Sequence, residues 1–372
     1  MTRHQTTKII QRAIHASRWF GNGIVLETCM SSENQNNFKL IRLVAALSVV
    51  VLHSKILISA ALGLSVTTDF HLLGLGLPSF FFLSGLLVAQ SLEKSSSWRQ
   101  FLWKRCLRLY PAACLSIVSS ALILGPIVTS WDIKAYFQSP QVYKYLSGCS
   151  LVRIYYLLPG VFENSVTGTR GINNSLWSLT LEWKLYAGLL IAWTVNFPFK
   201  RFLLFTLILC AAGGGYFFYD AVADITTKIT GRHIHPFAYV KYVPLFLIGV
   251  LCNVYKKTLV IRNYWALAIP VFFFISKQFH ILGLTGLILI PAFVLFAASH
   301  GIQVLRKVTP TPDLSYGIYV FAFPIQQVVA NYIRPESVLV MSFLSIAFVL
   351  PVAVLSWYGF EKRALQWKRL IK

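Results

Sequence analysis

Two side chains able to do chemistry sit inside one apolar stretch, residues 38 to 60, FKLIRLVAALSVVVLHSKILISA. Arg42 is a permanent cation, and His53 titrates near neutral pH, with an unperturbed pKa of about 6.5. A charge in hydrocarbon costs roughly 2.5–3.5 kcal/mol on insertion scales, so such residues face protein or water and commonly have a function. On a helix, Arg42 and His53 fall within about 20° of one face and ~16 Å apart along the axis. One helix then presents a cation near one membrane surface and an imidazole about halfway across. The plainer alternative is that Arg42 snorkels to lipid phosphates and His53 is a satisfied core histidine.

Further along, GINNSLWSLTLEWKLY carries Asn174, Ser178, Glu182 and Tyr186 at four-residue steps, a polar stripe on an otherwise apolar helix. Glu182 and Lys184 are two positions apart and point to different faces, so they do not simply neutralise each other. Either Glu182 is functional, or it caps a neighbouring helix or pairs with a distant cation. The loop Trp98–Pro111 holds Arg105 and Arg108, which share a face if that stretch is helical. Paired guanidinium groups suit a phosphate-bearing ligand, with lipid headgroups as the plainer partner. SYGIYVFAFPIQQVV places Tyr316, Tyr319, Phe323 and Gln327 at three- and four-residue steps, with Pro324 as a kink. Such an aromatic stripe usually packs, and Gln326 or Gln327 would supply its strong polar contacts.

These groups must be carried by membrane helices. The 372 residues are 56% hydrophobic and 12% charged, and the mean hydropathy is +0.64. Apolar runs of about twenty residues recur, which indicates an all-α, polytopic membrane protein. Ten spans are expected: 38–60, 72–92, 110–130, 174–195, 201–219, 237–255, 263–276, 279–299, 314–333 and 337–358. A net charge of +22 would suggest nucleic acid in a soluble chain. Here about two-thirds of the Lys and Arg fall in the termini and the even-numbered loops, so no nucleic-acid partner is expected and both termini are expected in the cytoplasm. The longest connection, 131–173, lies on the opposite side.

Residues 1–35 read as a basic cytoplasmic extension, an interfacial helix or disordered, and 362–372 as a basic cytoplasmic tail. Met30 begins MSSENQNNFKLIRL like a natural start, so residues 1–29 are expected to be dispensable. The six cysteines show no CxxC or Cys/His ligand spacing, and the pair His233 and His235 is weak evidence for a metal. No metal site is expected. No GxSxG, P-loop, HExxH or dinucleotide fingerprint occurs, which leaves serine hydrolysis and nucleotide hydrolysis without support.

FKLIRLVAALSVVVLHS resembles the first helix of the acyltransferase family 3 membrane proteins, with their Arg-x10-His pattern at Arg42 and His53. FFFLSGLLVAQS followed by FLWKRCLRLYP is similar to that family's second span and its Arg-x-x-Arg motif, here Arg105 and Arg108. NNSLWSLTLEWKLY and SYGIYVFAFPIQQ resemble two later motifs, and the likeness covers about residues 36–361. Lys55, Leu87 and Trp183 depart modestly from the pattern, and the SGNH hydrolase-like domain of some relatives is missing, which favours direct transfer.

The resemblance implies an enzyme of the bacterial inner membrane that takes an acyl group, commonly acetyl, from cytoplasmic acyl-CoA. The group goes to a hydroxyl of a surface or lipid-linked glycan such as O-antigen or exopolysaccharide. Acyl-CoA is then a co-substrate, no cofactor is resident, and membrane lipid and the glycan are the other partners. Arg105 and Arg108, extended inward by Arg42, are expected to bind the donor phosphates. His53 is expected to act as general base and Glu182 to orient the acceptor or a catalytic group. Asn174, Ser178, Tyr316 and Tyr319 complete the expected binding residues. The competing classes are a proton-coupled transporter using Glu182 and His53, and a non-catalytic flippase or binding protein. Acyl-CoA-dependent labelling of a glycan separates them from the enzyme.

Overall fold

The computed structural model describes residues 23–31, 37–64, 72–195, 204, 207–208, 236–278, 282–300 and 312–370. In chain order these form β1 (Gly23–Val25), α1 (Leu26–Ser31), α2 (Phe38–Ala61), α3 (Gly76–Glu93) and α4 (Trp98–Ser119). There follow α5 (Gly125–Val128), α6 (Ile133–Gln138), α7 (Pro140–Leu146), α8 (Trp177–Thr194) and α9 (Pro236–Val254). The remainder is β2 (Val260–Arg262), α10 (Trp265–Gln278), α11 (Leu282–Ser299), α12 (Ser315–Val328), α13 (Val338–Ser356) and α14 (Lys362–Gln366).

Four stretches are helical, long and apolar enough to cross a membrane: Phe38–Ala61, Gly76–Glu93, Trp98–Val128 and Val338–Arg369. They correspond to the first, second, third and tenth expected spans. The fifth, 201–219, lies outside the described residues at all but three positions, as do His233 and His235. The third differs from expectation: Trp98–Pro111, read as a loop, is the first half of α4. Ser97 Oγ accepts from Gln100 N, and the Gln100 side chain accepts from Ser96 N. This reciprocal cap starts the helix early.

The described residues fall into two compact units. In the first, α3 and α9 approach closely: a Cβ on Gly85 would lie 1.9 Å from the Phe246 carbonyl oxygen, and one on Gly249 2.2 Å from that of Phe82. Small residues permit such backbone approach where lipid supplies no hydrophobic drive. The same unit holds part of the N-terminal stretch. β1 pairs antiparallel with β2, Gly23 opposite Arg262 and Val25 opposite Val260. Leu26 is fully buried, and Glu27 N donates to Lys256 O at 3.0 Å. Residues 23–31 are therefore packed structure, because Gly-Ile-Val-Leu is apolar and strand-prone despite its basic surroundings.

The second unit is centred on α12, which is buried from Ser315 to Pro324. Two successive glutamines, ~100° apart on the helix, fasten it in different directions. Gln326 Nε2 donates to Val50 O at 2.8 Å and to Ser54 Oγ at 2.9 Å on α2. Gln327 Nε2 donates to Gly171 O at 2.8 Å and Thr169 O at 3.1 Å, which pins the long connection. Among the described residues α4, α12 and α13 each run on into a π-helical turn, Ser120–Leu124, Val329–Ile333 and Trp357–Glu361. At the first, the Ala121 carbonyl accepts from the buried Tyr136 hydroxyl at 2.7 Å.

Candidate active site

Asp313 joins two of the arginines that the sequence singles out. Its Oδ2 lies 2.9 Å from Arg42 Nη2 and 2.7 Å from Arg108 Nη2. Ser315 Oγ donates to the other carboxylate oxygen at 2.6 Å. The carboxylate stands at the start of α12, where the helix dipole favours negative charge. Burial disfavours its charged form, but Arg108 and Arg42, with the Ser315 hydroxyl, outweigh this and hold its pKa well below the usual carboxylate range. Tyr316 donates its hydroxyl to Leu109 O at 2.7 Å, and the Arg108 guanidinium carbon lies 5.8 Å from the Tyr316 ring centre. Tyr316 thus locks α12 to α4 beside the ion pairs.

Arg105, one helical turn from Arg108 on the same face, meets other partners. It donates to Ser91 Oγ at 3.0 Å and stands beside Tyr186 and Glu182. The Tyr186 hydroxyl donates to Glu182 Oε1. Glu361 Oε1 accepts from Ser356 Oγ at 2.9 Å, and its charge reaches Arg108 and Tyr316. Three guanidinium groups (Arg42, Arg105, Arg108) are therefore set among three carboxylates (Glu182, Asp313, Glu361). Arg105 Nε and Glu361 Oε2, both buried in this cluster, have no hydrogen-bond partner among the described residues. A buried polar atom left unpaired costs about 1–3 kcal/mol, so a complete site supplies one.

His53 lies deeper on α2, half-buried, with its ring edge-on to Phe323 at 5.2 Å between centroids. No hydrogen bond to it is found among the described residues, and its neighbour Ser54 is held by Gln326. Glu182 groups with Arg105 and Tyr186.

The expected stripe on α8 is shorter than the spacing suggested. Asn174 belongs to a 3₁₀ turn, Asn174–Leu176, that precedes the helix, and its Nδ2 donates to Thr169 Oγ1 at 3.1 Å. The tighter turn advances each residue by ~120°, so Asn174 leaves the face of Ser178 and Glu182. The adjacent Asn173 is buried instead and donates to Val320 O at 2.8 Å. Ser178 and Tyr319, expected to bind substrate, have their hydroxyls 2.6 Å apart and tie α8 to α12.

Sequence reasoning missed Asp313, Glu361 and Asn173. A signal for the first two existed: with 12 acidic against 34 basic residues, any carboxylate next to a span is a candidate counter-ion.

A family model described as an acyltransferase domain matches residues 35–361. The chain belongs to acyltransferase family 3. It is 27% identical over 347 residues to an O-acetyl transferase of Shigella phage Sf6, covering 89% of this chain and 96% of the relative. It is 29% identical over 322 residues to Nodulation protein 10 of Rhizobium leguminosarum bv. viciae, covering 78% and 83% respectively. No solved structure matches the chain. The chain is thus an O-acyltransferase, and membership in the family decides between the enzyme and the carrier readings.

Proposed function

We propose that this O-acyltransferase moves an acetyl group from cytoplasmic acetyl-CoA to a hydroxyl of a surface or lipid-linked polysaccharide, in a bacterial inner membrane with both termini cytoplasmic. The observation that carries the reading is the convergence of Arg42, Arg105 and Arg108, with Arg105 Nε and Glu361 Oε2 still lacking partners. Guanidinium forks recognise phosphate bidentately, and an acyl-CoA brings several phosphates. Asp313 holds two of the forks in place before the donor arrives, and Glu182 with Tyr186 orients the third.

With the phosphates at the arginines, the pantetheine arm lies along α2 toward His53, ~16 Å further in. Neutral His53 accepts the proton of the acceptor hydroxyl as its oxygen attacks the thioester carbonyl. The C–S bond breaks, the ester forms, and the CoA sulfur leaves and takes up the proton. The test is incubation of the protein in nanodiscs with radiolabelled acetyl-CoA and membrane glycan from a strain lacking the gene. Base-labile label on the glycan is expected. Label that never leaves CoA, at any protein concentration, would sink the reading.

A further inference from the structure

Outside the charged cluster, the second unit carries a cavity of about 560 Å³ walled by α4, α12, α13 and the turns that follow them. All three π-helical turns contribute to it: Ile123 and Leu124 from the first, Val329 and Ile333 from the second, Phe360 from the third. π turns are rare and gather at functional sites, because each inserts a residue and widens the local helix surface at a cost in hydrogen bonding. The wall is almost wholly apolar and open on one side, with Ile123, Ile333 and Phe360 all more than 49% exposed.

The groove has two distinct ends. Ser356 lines one and donates to Glu361, so the groove begins at the back of the charged cluster. Ile333 lines the other and is followed directly by the exposed Arg334, whose Nε donates to Asn331 O at 3.2 Å. From Phe321 to Ile333 the wall runs ~18 Å along α12. Asn331 also holds the long connection, accepting from Val166 N at 3.0 Å.

We propose that this groove seats the hydrocarbon chain of a polyisoprenyl phosphate, the membrane carrier of the acceptor glycan, with its phosphate at Arg334. An apolar channel ending in a fixed cation is complementary to an anionic amphiphile. The phosphate at Arg334 leaves the attached sugar against the connection that Asn331 and Gln327 pin. This inference rests on the acceptor being lipid-linked and so deepens the function proposed above.

The test uses the full chain in nanodiscs without any donor. A diazirine-bearing polyisoprenyl phosphate is photolysed, with or without excess phosphatidylglycerol, and labelled peptides are mapped by mass spectrometry. Label is expected on residues 123–127, 329–333 and 348–355, and phosphatidylglycerol is expected not to compete. Val352→Trp and, separately, Leu355→Trp fill the groove and should each cut labelling about tenfold. Arg334→Glu, an exposed change, should do the same, since the phosphate loses a charge-assisted hydrogen bond and meets a like charge instead. Equal labelling by a diazirine phosphatidylglycerol, labelling unaffected by all three variants, or label elsewhere overturns the proposal. Because labelling needs no turnover, a failure of acetyl transfer leaves it standing, and its own failure leaves acetyl transfer untouched.

Discussion

Arg108 and Asp313 are 205 positions apart in the chain, yet Arg108 Nη2 lies 2.7 Å from Asp313 Oδ2. The same oxygen meets Arg42 at 2.9 Å. One carboxylate therefore ties three helices' worth of charge together, on α2, α4 and the start of α12. Removing it leaves two guanidinium groups facing each other with their countercharge gone.

Asp313→Ala should lower stability by on the order of 2–3 kcal/mol, between the values for exposed and fully buried pairs. Thermal unfolding in detergent measures this. An unchanged midpoint would show that the two ion pairs are dispensable for folding.

The pH dependence follows from the sign of the shift. The folded pKa of Asp313 is depressed below its unfolded value of about 3.9. Its stabilisation is therefore complete above the unfolded pKa and lost as pH falls through the folded one. The stability gap between wild type and Asp313→Asn should stay constant from pH 5 to 8 and shrink only below about pH 4. A gap that closes between pH 8 and 5 contradicts an ionised Asp313.

Arg105→Lys and Arg108→Lys keep the charge and lose the planar fork. Each should raise the KM for acetyl-CoA about tenfold while expression holds. Wild-type KM in both variants moves the donor phosphates elsewhere.

His53→Ala should abolish transfer, by about 10²–10⁴ in rate, with the protein still folded. Its ring contact is an edge-on packing against Phe323, so little stability is at stake. Ester content of the target glycan, measured at matched expression, decides the matter. Undiminished ester returns His53 to a core-histidine role.

A chain begun at Met30 loses β1 and most of α1. Burying one Leu side chain is worth about 1.5–3 kcal/mol, and Leu26 is fully buried. The shortened protein should therefore unfold at a lower temperature than the full chain. Equal midpoints would restore the reading of residues 1–29 as dispensable.

The sequence by itself determined what is written in local pattern. The first, second and tenth spans follow from apolar run length, because backbone in hydrocarbon must satisfy its hydrogen bonds within a helix. Arg42 and His53 on one helix, and Arg105 and Arg108 on one face, follow from helical period alone. What only the tertiary structure decided is which charges meet. Asp313 reads as an ordinary turn residue in Thr-Pro-Asp-Leu-Ser, and Glu361 as part of a basic tail. Their partners lie up to 271 positions away, as Arg42 does from Asp313, and no periodicity encodes a contact at that separation. The same holds for β1, whose partner strand β2 comes after the described helices α1 to α9, and for the groove, whose three π turns arise from packing between helices. Short-range pattern sets which helices form. Long-range pairing of a few carboxylates with many cations sets how they are held.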